Sequence, residues 1–340
     1  MFYNEKIVDK YLDELDKEIS SSYKGDVLDT IYIGGGTPSS LNIRQLERLF
    51  LIISRFNISD KCEFTIEANF ENTTLEKLQL FKNNKVNRLS FGLESINKEN
   101  LEVLDRKCSK DEVINIIKMA RDIGFNNINV DLMYALPGEK IKDLEDDLDF
   151  IFSLNIEHVS CYSLIIEEHT KLGIKKVSDV SEELDFEMYK LICNSMKNNG
   201  FRHYEISNYA KKGYESRHNT VYWENKEYYG FGLGASAFIG DKRVTNTRSI
   251  NNYLEGNYIL EEEYLEKQDL VYYEIMLNLR KSNGIDLDEL YSKYKVKLDY
   301  CELVKFGLLC KEDNRLYIPE EKWYISNEII IRLLEGVVYE

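Results

Sequence analysis

The sequence predicts an α/β protein of repeated β/α units with parallel strands, followed by a small helical module. Three observations carry this. Short β-branched or aromatic runs recur at Thr30–Ile33, Glu63–Glu67, Arg88–Phe91, Asn127–Met133 and His158–Leu164. Segments between them place apolar residues at helical spacing, the alternation expected when helices cover a parallel sheet. After about residue 170 the alternation stops and another pattern begins.

In chain order, Val8, Tyr11, Leu12, Leu15 and Ile19 form an amphipathic helical stripe ahead of the first strand. A β/α protein that opens on a helix is short of a strand, so the first strand of the barrel is expected to be missing. Leu46, Leu49, Phe50 and Ile53 form the next stripe, and Val113, Ile116, Ile117 and Ala120 another; both faces should pack on the sheet. A helix near Glu182–Asn198 precedes a Tyr- and Gly-rich stretch from Phe201 to Arg248, read as loops suited to carry function. Glu261–Lys267 is charged, without apolar periodicity, and reads as a linker. Beyond it come a helix at Leu270–Arg280, a second containing Leu287, Leu290 and Tyr291, a third near Asp299–Phe306, and a hairpin turned by Glu312-Asp313-Asn314. That end resembles a winged-helix module. The expected division is a β/α core at 1–175, an extension at 176–260 and the module at 261–340.

Sixty acidic against 44 basic side chains leave a net charge of −16, which argues against nucleic-acid binding through a broad basic face. Acidic side chains also outnumber basic ones in the C-terminal module, so packing or lid duty suits it better than DNA binding. A hydrophobic fraction of 43% with 31% charged residues is that of a globular chain. No apolar run approaches the roughly 18–20 residues of a membrane span, and Met1–Lys6 has no signal core, so a cytoplasmic protein is expected. The six cysteines, at 62, 108, 161, 193, 301 and 310, include no Cys-x-x-Cys, and most sit among apolar neighbours where a thiol acts as a small hydrophobe.

Three groups of residues could carry chemistry. Gly34-Gly35-Gly36-Thr37-Pro38-Ser39 ends the first strand; without Cβ atoms a ligand could approach the backbone amides, although a structural turn would look the same. Glu67, Glu94 and Asp131 stand at strand ends, where a carboxylate needs a ligand or an ion-pair partner. Arg106 is a candidate for that partner, or for a carboxylate clamp. His218-Asn219-Thr220-Val221-Tyr222-Trp223 puts one of four histidines beside one of two tryptophans. Imidazole can hold iron and aromatic rings can flank a porphyrin, yet a packing histidine among aromatics fits the same residues.

At these positions the sequence resembles the HemW-type heme chaperones, relatives of the oxygen-independent coproporphyrinogen III oxidases in the radical S-adenosylmethionine (SAM) superfamily. The resemblance runs from about Phe2 to the C-terminus and is most specific at Gly34–Ser39, Arg88–Gly92, Asp131 through Leu136-Pro137-Gly138, Tyr204–Ala210 and His218–Trp223. His-Asn-x-x-Tyr-Trp resembles the chaperones' heme-binding signature, which the oxidases lack. The resemblance implies a partial (β/α)6 barrel and a heme-binding extension. It assigns Gly35, Gly36 and Thr37 to the amino-acid end of SAM, with Glu67, Glu94, Arg106 and Asp131 at its polar groups. It makes His218 the heme-iron ligand, with Tyr222 and Trp223 shaping the pocket. It further implies a 4Fe-4S cluster, delivery of heme to acceptors such as respiratory enzymes, and leaves homodimerisation open. Glu94 stands where the family usually has glutamine, Cys108 where histidine is common and Asp105 where glycine is.

The family opens on a strand followed by Cys-x-x-x-Cys-x-x-Cys, whose thiolates hold the cluster, and this sequence contains neither. Phe2-Tyr3-Asn4 resembles the residues just after the last of those cysteines, so a truncated gene, a fragment or a mis-assigned start is expected. Without the thiolates, reductive cleavage of SAM should be absent, and Thr30–Ile33 should form an edge prone to self-association. Whether the chain is an enzyme stays open. Oxidative decarboxylation of coproporphyrinogen III and an inactive fragment are the alternatives to heme delivery.

Overall fold

The computed structural model describes residues 4–166, 171–174 and 178–340. Phe2 and Tyr3, and the expected boundary at 175, lie outside them. The first half runs α1 (Glu5–Ser22), β1 (Val27–Ile33), α2 (Ile43–Ile53), β2 (Asn57–Asn69), α3 (Leu75–Asn83), β3 (Arg88–Glu94), α4 (Lys98–Val103), α5 (Lys110–Ile123), β4 (Ile128–Tyr134), α6 (Ile141–Ser153) and β5 (His158–Ser163). Then follow α7 (Lys171–Ile174), α8 (Glu182–Asn198), β6 (Arg202–Glu205), β7 (Asn208–Ala210), α9 (Arg217–Trp223), β8 (Ser236–Ile239), β9 (Lys242–Asn246), α10 (Ile250–Leu254) and β10 (Ile259–Tyr264). The chain ends with α11 (Lys267–Asn278), β11 (Ile285–Asp286), α12 (Leu287–Tyr294), β12 (Val296–Leu298), α13 (Cys301–Lys305), β13 (Cys310–Glu312), β14 (Arg315–Tyr317), α14 (Ser326–Leu334) and β15 (Val337–Tyr339).

One sheet has the order β1-β2-β3-β4-β5-β7-β6, with β1 at its edge. The pairings from β2 to β5 are parallel, as the alternation predicts, and β6 and β7 add antiparallel to β5. All five expected strands are present. In β3 and β4, alternate residues Leu89, Phe91, Val130 and Leu132 are fully buried. Each such side chain contributes roughly 1.5–3 kcal/mol by leaving water. Residues of the opposite parity, Ser90, Asn129, Asp131, His158 and Ser160, are polar and hydrogen-bonded to one another. One face of the sheet is therefore apolar and the other is a polar surface on which ligand-binding groups can stand.

The chain forms two compact units. One gathers Tyr32–Ser40 and Phe64–Glu215. In it α5 begins at a capping box between Ser109 and Glu112 and stops at Gly124, whose φ of +95° closes the helix. The other gathers the residues up to Ile31, Leu41–Glu63 and Ser216–Glu340. There α1 and α2 are joined by Arg44–Asp9 and Arg48–Asp13 ion pairs, and Arg55, just past α2, pairs with Asp16. The hairpin of β13 and β14 pairs Cys310 with Tyr317 and Glu312 with Arg315, and β11 extends it to three strands beside α12.

The linker reading of Glu261–Lys267 is overturned: Glu261–Tyr264 belong to β10, antiparallel to β9, and Lys267 starts α11. Every residue of β10 is exposed. Held by its backbone ladder, a Lys242–Glu262 ion pair and Lys242 over the Tyr264 ring, an edge strand with no buried face leaves no apolar alternation to read. Among the cysteines, Cys62 and Cys161 are buried as expected, whereas Cys301 is exposed.

Candidate functional site

The glycine run leaves β1 in a sharply turned conformation, with Gly35 at φ +89° and Thr37 at φ +59°. Glu67 on β2 secures it. Its Oε2 accepts the Gly35 N–H at 3.1 Å, and its Oε1 accepts the Tyr32 hydroxyl at 2.8 Å. A Cβ on Gly34 would stand 2.7 Å from Glu67 Oε1 and 2.8 Å from the Tyr32 ring, so a larger residue there must displace the side chains that hold the turn. Around Gly35 and Gly36 a Cβ would meet nothing within 4 Å; these residues border open space. Behind the turn, Ser39 Oγ accepts the Asn69 N–H at 2.9 Å and Lys77 Nζ donates to Ser39 O at 2.6 Å. Sequence reasoning named Ser39 only as the end of the glycine motif and assigned no role to Tyr32 or Lys77. Tyr32 and Lys77 carry no local signal, because their roles depend on which elements the sheet brings together.

Glu94 ends β3 at φ +60° and accepts from Arg106 Nη2 at 2.9 Å, so the arginine meets a carboxylate as expected. Desolvation raises the Glu94 carboxyl from its ordinary 4.5 to about 7, against the opposing charge of Arg106. Asp131 on β4 accepts from Asn129 Nδ2 at 2.8 Å, and burial raises its pKa despite bonds from Asn129 and Ser160. Repulsion from Glu67 raises Asp131 further, and Asp131 likewise acts on Glu94, so the three carboxylates share one field. Such a field suits a ligand carrying positive charge and hydrogen-bond donors. Open space at Gly35 and Gly36, where the Gly35 amide is already bonded to Glu67, leaves room for a ligand beside that carboxylate. For a 4Fe-4S cluster the donor set does not fit: among the described residues no three His, Cys, Asp or Glu side chains gather to hold a metal ion.

In the other unit His218 opens α9. Ser216 caps the helix, and the buried Glu63 carboxylate accepts the backbone N–H groups of Arg217 at 3.0 Å and His218 at 2.9 Å. An acid there complements the positive end of the helix. His218 Nδ1 lies 2.9 Å from Thr30 Oγ1 and Nε2 lies 2.7 Å from the Tyr222 hydroxyl. Burial pushes the Tyr222 hydroxyl up to about 12, which keeps it protonated. Tyr228 packs edge-on against Tyr222, centroids 4.6 Å apart, and also lines a cleft of about 220 Å³ with Arg243, Thr245 and Glu261. His218 and Tyr222 therefore come together, and Trp223 does not join them. At about 100° per residue Trp223 turns to another side of α9, where the Arg280 guanidinium lies 6.0 Å above its ring.

Residues 3–151 match the family model described as the radical SAM superfamily. A curated relative from Bacillus subtilis, "Heme chaperone HemW", is 35% identical over 96% of this chain and 92% of its own length. A protein of the same name from Lactococcus lactis is 33% identical over 96% and 90%. Among solved structures, Escherichia coli coproporphyrinogen III oxidase (HemN), described as a radical SAM enzyme, superposes with a TM-score of 0.84 over 95% of this chain and 82% of that one, at 20% identity. That likeness shows the fold: α/β, of the radical SAM type.

Proposed function

The chain belongs to the HemW family of the radical SAM superfamily, and from that premise we propose that it is a heme chaperone, taking heme iron on His218 and passing heme to acceptor proteins such as respiratory enzymes. The observation supporting this reading most directly is the setting of His218. Its ring is anchored on the Nδ1 side by Thr30, while Nε2 faces a half-exposed tyrosine beside a cleft. The cleft is lined by Arg243, whose guanidinium donates to Asn225 Oδ1 at 3.1 Å and lies over the Phe238 and Tyr273 rings, together with Glu261 and Glu263. Trp223, turned towards Arg280, would steady α9 rather than stack on the porphyrin.

The same reading assigns Gly35, Gly36 and Thr37 to the amino-acid end of SAM, with Glu67 fixing the turn and Glu94, Arg106 and Asp131 holding polar groups. With its cluster, SAM supplies radical chemistry in this superfamily. Gly35, Gly36, Thr37 and the neighbouring carboxylates would bind and orient the cofactor. The cytoplasm is the proposed setting.

Hemin titration followed by the Soret band tests the proposal. The full chain should acquire the band and His218→Ala should lose most of it. Undiminished binding by that variant removes His218 from the site, and a chain that takes up no hemin at all ends the chaperone reading.

A further inference from the structure

Resting on that heme-binding reading, we propose that Tyr222 is a displaceable cap over the iron-binding nitrogen of His218, and that Thr30 is a positioning residue that selects which nitrogen it is. A neutral imidazole carries one N–H, so its two hydroxyl contacts, 2.9 Å at Nδ1 and 2.7 Å at Nε2, must run in opposite directions. A phenol, with a pKa of about 10, is a far stronger donor than an aliphatic alcohol. The Tyr222 O–H therefore donates to Nε2, and Nδ1–H donates to Thr30 Oγ1. This arrangement puts the lone pair on Nε2 and covers it with the tyrosine.

The two partners differ in freedom. Thr30 lies within β1, so its hydroxyl is set by the strand. Tyr222 is 37% exposed, one helical turn from His218, and its ring meets Tyr228 edge-on. Rotation of Tyr222 about its side-chain bonds uncovers Nε2 without moving the backbone of α9 or β1. On loading, the O–H···Nε2 bond breaks, the Nε2 lone pair goes to iron, any water on the iron leaves to solvent, and the phenol keeps its proton and bonds water. Meanwhile Nδ1–H stays on Thr30, which holds the ring plane and strengthens Nε2 as a donor. The free protein thus keeps its metal-binding nitrogen occupied by its own chain.

Two measurements test this on the full chain. In the protein without heme, nitrogen-15 NMR of the His218 ring should show Nδ1 protonated and Nε2 bare; a proton on Nε2 overturns the assignment. In hemin titrations, Tyr222→Phe should bind roughly 2- to 10-fold tighter, the worth of one lost competing hydrogen bond, with the Soret band at an unchanged wavelength. Binding that is equal or weaker overturns the cap. Thr30→Val should lose the tautomer preference in the NMR spectrum and bind hemin more weakly. If His218→Ala binds hemin like the parent, the heme-ligand reading fails, while the NMR tautomer still decides the arrangement of the two hydroxyls.

Discussion

The Glu63 carboxylate accepts the backbone N–H of His218 at 2.9 Å, tying the middle of β2 to the first turn of a helix 155 positions later. The same carboxylate takes the Arg217 N–H and lies 3.4 Å from the Ser216 hydroxyl. His218 is thus placed from two strands at once: its backbone from β2 through Glu63 and its ring from β1 through Thr30.

Glu63→Ala should therefore act on stability and on ligand binding together. Leaving buried donors unmatched costs about 1–3 kcal/mol, to be read in urea denaturation, and a loosened α9 should weaken hemin uptake. Stability lost with hemin affinity intact would show that α9 does not depend on this anchor.

Glu18 is a purely structural counterpart. Buried in α1, it accepts the Gly232 N–H at 2.8 Å, the Asn246 side-chain amide at 2.5 Å and the Tyr253 hydroxyl at 2.5 Å. Glu18→Ala removes the acceptor of three buried groups and should cost about 1–3 kcal/mol or more, visible as a clear fall in melting temperature. A fall no greater than that of an exposed substitution on the same helix, such as Lys10→Ala, contradicts this role.

The glycine run separates contact from ligand space. Gly34→Ala drives a methyl against Glu67 and the Tyr32 ring and should cost about 1–3 kcal/mol. Gly36→Ala meets nothing within 4 Å and should leave thermal stability nearly unchanged. Equal destabilisation by the two, measured by calorimetry, would falsify the open space at Gly36.

Glu94 predicts a pH dependence. Because desolvation lifts its carboxyl from 4.5 to about 7, the folded chain holds that proton longer than the unfolded one, and stability is lost as pH rises through this window. Glu94→Gln cannot titrate. The stability of the variant relative to the parent should increase between about pH 4.5 and pH 7 and level off above it. His158 and His203, depressed by burial, act oppositely but equally in both proteins. A difference independent of pH, in urea titrations across the window, rejects a raised Glu94.

Much of the fold is legible because its signals are local. Helices α1, α2, α5 and α8 each repeat apolar residues every three or four positions, and each of the five expected runs lies on a strand, although β2 starts six residues earlier and β3 runs three residues further than its run. Strand β10 was not, since no face of it is buried and only its pairing with β9 makes it a strand. Helices α3 and α6 went unremarked, although Leu144, Leu148 and Ile151 are buried at the right spacing.

The sequence alone determined the alternation of strands and helices, the glycine turn after β1, and a histidine and tyrosine four apart that any helix brings to one face. Tertiary structure decided what those groups meet: Thr30 against His218, Glu63 beneath α9, Glu67 against Gly35, Trp223 turned away to Arg280. Periodicity and turn chemistry are written in neighbouring residues, whereas a hydrogen bond between positions 188 apart exists only after the apolar faces have packed and fixed the strands that carry it.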